Sequence, residues 1–96
     1  MITLDSGNVL LTPSLRKQLM SRLRRAVRIG QRIGQFALTI ALRRRGRHVT
    51  LVARCHDKRG DFEVRSKCTS LGDAFHDLAR MISSRLHDQL LVRVPA

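Results

Sequence analysis

The sequence predicts an α+β domain of order β-α-β-β-β-α, a four-stranded sheet with two helices packed on one face. Three observations carry this. Three consecutive runs alternate apolar and polar residues with period two, two longer runs repeat apolar residues at helical spacing, and turn or capping residues separate the runs. Ninety-six residues with 43% hydrophobic content are enough for one core and not for two. A single domain over residues 1–90 with a short tail over 91–96 is expected.

Ile2 and Leu4 alternate with Thr3 and Asp5 as a short first strand, and Asp5, Ser6, Gly7 and Asn8 supply turn chemistry after it. Thr12-Pro13 reads as an N-cap and a first helical residue, because the proline's missing N–H would be unpaired there in any case. At about 100° per residue, Leu15, Leu19, Met20, Leu23, Ala26 and Val27 share one face of this first helix. Lys17, Arg22, Arg24, Arg25 and Arg28 fall outside that face. Gly30 and Gly34 bracket the helix end.

Phe36, Leu38, Ile40 and Leu42 then alternate with Ala37, Thr39 and Ala41, a strand with one buried face. Arg43-Arg44-Arg45-Gly46-Arg47 is read as a hairpin loop. The next strand points Val49, Leu51, Ala53 and Cys55 inward. After a turn at Asp57–Asp61, the last strand does the same with Phe62, Val64, Ser66 and Cys68. Ser70 with Asp73 three residues on has the capping-box form, and opens a second helix with the apolar stripe Leu71, Phe75, Leu78, Ala79, Ile82 and Leu86. Leu90, Leu91, Val92 and Val94 form an apolar tail that either covers its own core or adds to a partner.

Charge is unevenly distributed along the chain. Twelve of the 19 Lys and Arg residues lie in residues 1–54, where Asp5 is the only acid, whereas residues 55–96 carry seven basic against six acidic side chains. The arginines alternate with core leucines, so the charge is displayed on folded elements and suits a polyanion. Four guanidinium groups within Arg43–Arg47 repel one another unless an anion is near. The only aromatics, Phe36, Phe62 and Phe75, all occupy core-facing positions, which leaves no platform for stacking bases. Recognition of phosphates and RNA shape is the consequence. The expected RNA-binding residues are Arg16, Lys17, Arg22, Arg24, Arg25, Arg28, Arg43, Arg44, Arg45, Arg47 and Arg54.

Cys55 and Cys68 fall several residues out of register on neighbouring strands, which disfavours a disulfide. With four scattered histidines they form no zinc set, so no metal and no cofactor are expected. No Ser/His/Asp or Cys/His arrangement points to an enzyme, and no small-molecule substrate is expected. Asp57 and Asp61 flank a tight turn, and Asp73 and Asp77 stand one helical turn apart near a helix start. Met1 leads straight into Ile2, Thr3 and Leu4 with no apolar leader or membrane span, so a cytoplasmic chain away from the membrane is expected.

Several stretches carry a resemblance. Gly7-Asn8-Val9 precedes Leu11-Thr12, Leu15-Arg16 opens a helix bearing Arg22 and Arg25, and Arg32-Ile33-Gly34-Gln35 leads into the second strand. The stripe Leu71, Ala74, Phe75, Leu78, Ile82, Leu86 closes the pattern. With the element order, over about residues 2–88, the chain is similar to the ribosome hibernation-promoting factor and ribosome-associated inhibitor A family in its short form. The resemblance implies a protein that sits on the small ribosomal subunit, in the channel used by messenger and transfer RNA. There it would contact ribosomal RNA and inhibit or store ribosomes under stress. The resemblance also implies that Arg16, Arg22 and Arg25 stand where the family carries basic residues, and that a monomer is favoured over a homodimer.

The second helix departs from that pattern. The family's usual basic sites fall on Met81, Ser84 and Asp88, only Arg80 and Arg85 lie nearby, and Gly72 stands where an aromatic is usual. Two alternatives stay open. Residues 13–88 also read α-β-β-β-α, the order of a double-stranded RNA-binding domain, although that class grips phosphates from a lysine-rich second helix start and this one is Ser70-Leu71-Gly72-Asp73. The other is a protein-interaction or regulatory module of the same fold without ribosome binding.

Overall fold

A computed structural model describes residues 2–34, 36–57 and 60–92, with side chains described for all of these except 33 and 89–92. The elements run β1 (Ile2–Asp5), α1 (Pro13–Arg22), α2 (Arg24–Ile33), β2 (Phe36–Arg45), β3 (His48–Asp57), β4 (Gly60–Cys68) and α3 (Leu71–Val92). The four strands form one sheet in the order β1-β2-β3-β4, with β1 parallel to β2 and the other pairs antiparallel. The α+β class and the four-stranded sheet are those the period-two runs predict.

Strand alternation fixes what each face of the sheet buries. Leu38, Ile40, Leu42, Val49, Leu51, Ala53, Cys55, Phe62, Val64 and Ser66 point to one side and are buried there. Leu19, Leu23 and Ala26 meet them from the first helical segments, and Ala74, Phe75, Leu78, Ile82 and Leu86 from α3. Each fully buried Leu, Ile or Phe contributes about 1.5–3 kcal/mol of transfer free energy, so this single layer of side chains is what holds the domain together. On the other side of the sheet no described element covers the strands.

Thr12 caps α1 as expected: its Oγ1 accepts a hydrogen bond from Leu15 N–H at 3.2 Å. The single helix expected from Pro13 onward is broken at Leu23 into α1 and α2. Leu23 stays in the right-handed region, its N–H still reaches Leu19 O at 3.1 Å, and Val27 N–H still reaches Leu23 O at 2.9 Å. Like charges at Arg22/Arg25 and Arg24/Arg28 weaken the helix on either side, and the break falls at the buried leucine between them.

The hairpin expected as a five-residue loop is tighter. β2 continues through Arg43, Arg44 and Arg45, which pair with Thr50, Val49 and His48, so only Gly46 and Arg47 make the turn. Gly46 adopts φ 59°, the positive value a two-residue turn needs at its first position to match strand twist. Arg43–Arg45 therefore sit on a rigid ladder end.

α3, the second helix of the sequence reading, extends through Val92, past residue 90, where that reading ends the domain. The side chains of the apolar tail lie outside the described residues, as do Lys58 and Arg59 of the β3–β4 turn. No helix among the described residues is long and apolar enough to cross a membrane.

Candidate nucleic-acid interface

Topology brings two helix starts to the Arg-rich end of the sheet. The chain leaves β1 at Asp5 beside Ala41, so α1 begins near the β2–β3 hairpin. β4 ends at Cys68 beside Val49, so α3 begins there too. The helices then run away from that end side by side, and an open groove of about 1210 Å³ lies between them.

The groove is built by helical spacing. From α1 and α2, the row Lys17, Ser21, Arg25, Ile29 and its neighbour Ser14, Gln18, Arg22 face it; from α3, the row Gly72, His76, Arg80, Ser84, His87 does. The buried Phe75 and Ala79 also line it. Among the described residues, four permanent cations and two imidazoles line this groove, and no carboxylate does. Small residues, Gly72, Ala79, Ser83 and Ser84, leave room between the larger side chains on the α3 side. A methyl group added at Gly72 would meet nothing closer than Ser70 Oγ at 3.8 Å.

A second cationic cluster stands at the hairpin, where Arg43, Arg44, Arg45, Arg47 and His48 are all exposed. Its backbone is held by Asn8, whose side chain extends the sheet in place of a further β1 residue. Arg44 N–H donates to Asn8 Oδ1 at 2.7 Å, and Asn8 Nδ2 donates to Arg44 O at 2.9 Å. Gly7 makes the approach possible. At φ 55° it passes so close to β2 that a Cβ there would lie 2.3 Å from Leu42 O.

The eleven expected contact residues thus separate into groups. Lys17, Arg22 and Arg25 share the groove; Arg16, Arg24 and Arg28 are exposed on the same helical segments without lining it; Arg43, Arg44, Arg45 and Arg47 form the hairpin cluster. Arg54 is apart from all of these. It points from the uncovered face of the sheet, where its Nε donates to Glu63 Oε1 at 2.8 Å, and Arg65 joins the same carboxylate at 3.1 Å. The hydrogen bond from Arg54, followed by that from Arg65, holds the Glu63 carboxyl below the usual glutamate range. His56 and Asp61 pair on the same face.

Sequence reasoning missed Arg80, His76, His87 and Asn8. The signal for the first three was present in their spacing, since residues 72, 76, 80, 84 and 87 form one helical row, but nothing in the sequence says that this row faces helix one. Arg85, treated alongside Arg80 in the sequence, is on another flank: its guanidinium carbon lies 5.2 Å from the centroid of the Phe62 ring. Arg80 has one loose acidic neighbour, Asp77, at 3.7 Å. Asp77 Oδ2 also accepts from Cys68 Sγ at 3.8 Å.

Both cysteines are free, Cys55 buried and Cys68 half-buried. Burial, reinforced by Asp57 and then Asp61, pushes the Cys55 thiol up to about 11. Among the described residues no group of three or more His, Cys, Asp or Glu is placed to hold a metal ion.

No protein-family model matches the sequence, and no curated protein matches it. Solved structures do match. The N-terminal domain of Protein Y from Thermus thermophilus superimposes with a TM-score of 0.77 at 16% identity, covering 90% of this chain and 93% of that one. A ribosomal subunit interface protein from Coxiella burnetii gives a TM-score of 0.75 at 13% identity, covering 94% and 97%. The likeness spans nearly the whole of each chain, and the fold implied by the sequence resemblance is the fold this protein has.

Proposed function

We propose that this chain is a ribosome-associated RNA-binding protein that occupies the small subunit in the cytoplasm, contacts ribosomal RNA and holds ribosomes inactive or stored under stress. The observation that carries the proposal is the cationic groove, lined by no carboxylate among the described residues, between helices that begin at the end of the sheet bearing the arginine hairpin, on a fold shared with a protein named for the ribosomal subunit interface. Phosphate contacts supply the affinity. Phe62 and Phe75 are buried and Phe36 is half-buried, so recognition follows RNA shape and backbone. The domain acts as a monomer and carries out no catalysis.

Co-sedimentation of the purified protein with isolated small subunits, across a salt series, tests this. With about five to seven phosphates neutralised, log affinity falls against log salt with a slope of about −4 to −6. Failure to sediment with subunits at low salt would overturn the proposal. Equal affinity for any free RNA duplex and for the subunit would support the double-stranded RNA-binding alternative.

A further inference from the structure

His76 and His87 are the two imidazoles of the groove, able to take up a proton and so to add charge to it, and they are not explained by packing, since both are exposed on the polar row of α3. Lys17, Arg22 and Arg25 face them from α1 and α2, and Arg80 stands between them on their own helix. None of the acids of α3 lines the groove: Asp77 pairs with Arg80 and accepts from Cys68, and Asp73 and Asp88 are absent from the lining. Among the described residues, the charged side chains that line the groove beside either ring are thus all basic, and Asp77 reaches it only through its pairing with Arg80.

We propose that His76 and His87 are phosphate contacts of the groove that engage on protonation, so that RNA binding takes up protons and tightens as the pH falls. This rests on the RNA-binding reading of the groove. An imidazolium donates to phosphate oxygen as a charge-assisted hydrogen bond, whereas the neutral ring adds no charge to the contact. Bound phosphate favours the protonated ring. The added affinity is thus fully present below the free histidine's titration range and is lost as the pH rises through that of the complex. The two residues are eleven positions apart on α3, about 16 Å along its axis, so they meet different phosphates and their effects are independent.

The test measures binding of the full chain to small ribosomal subunits, and to an RNA stem-loop, at pH 8 and pH 5.5 over a salt series. Affinity is expected to rise about threefold per histidine, about tenfold for both. The salt slope should steepen by about one per engaged ring. His76→Gln and His87→Gln should each remove about half of the pH effect, and the double variant all of it. His56→Gln, on the uncovered sheet face, should change nothing. Normal binding at pH 8 with no steepening at pH 5.5, or a pH effect that survives the double variant and disappears with His48→Gln, would overturn the inference while leaving the RNA-binding reading intact. Absence of binding at either pH would overturn both.

Discussion

Arg80 and Arg85 are about 1.4 helical turns apart on α3, carry the same charge, and have opposite expected roles. Arg80 lines the groove with 69% of its side chain exposed, and among the described residues Asp77, at 3.7 Å, is the acid that competes for it. If it contacts one phosphate, replacement by Gln reduces the salt slope by about 0.9, which at about 0.1 M salt is roughly an eightfold loss of affinity. Arg85 covers the Phe62 ring at 5.2 Å instead. Arg85→Gln should leave the salt slope unchanged and cost on the order of 0.5–1 kcal/mol of stability, a melting shift of about 3–6 °C in a domain of this size. Fluorescence anisotropy on a labelled RNA stem-loop from low to moderate salt gives the slopes, and thermal unfolding gives the stability. Equal losses of slope from both variants, or a loss from Arg85 alone, would refute the assignment of the groove as the binding face.

Three further outcomes follow from particular contacts. Gly7→Ala should destabilise the fold by about 2–4 kcal/mol, because the methyl group would lie 2.3 Å from Leu42 O at φ 55°, and urea unfolding measures this. Cys55 should resist alkylation at neutral pH until the protein is unfolded, since its buried thiol is pushed up to about 11; prompt native labelling of both cysteines would contradict the burial. The Glu63 pairing should contribute above the ordinary glutamate range and be lost as the pH falls through the lowered folded value. An NMR carboxyl titration should accordingly move upward in Arg54→Gln more than in Arg65→Gln.

Much of this architecture can be read from the sequence because period-two alternation has only one consistent reading when one sheet face is buried. Leu38, Ile40, Leu42, Val49, Leu51 and Ala53 could not slip by one residue without turning the core outward. The Arg43–Arg45 segment lacks that signal. No apolar residue marks its register, and its strand character comes from the partners His48 to Thr50 and from the turn chemistry of Gly46. The break at Leu23 is similarly invisible, because the buried stripe continues through it. The candidate groove was half legible. Helix one's cations stand out by density, but the α3 contribution depends on which row of that helix faces α1 and α2, and packing of the whole layer decides that. The setting of Arg54 is hidden for the converse reason: its charge is as prominent as the others in the sequence, and cross-strand register is what places Glu63 opposite it.

The Gly7–Asn8 clamp also bears on the order in which the molecule assembles. β2, β3 and β4 follow one another with two residues between each pair, so their ladders close small loops, whereas Leu4 reaches Ile40 and Asn8 reaches Arg44 across 36 residues. Loop closure of that kind is the slower event, so the strand synthesised first is the one that docks last. Until it does, the Arg44 amide has no side-chain carbonyl to bond. Its protection in pulsed hydrogen exchange, arriving after that of the β3–β4 ladder, would time the moment at which the arginine hairpin is set in place.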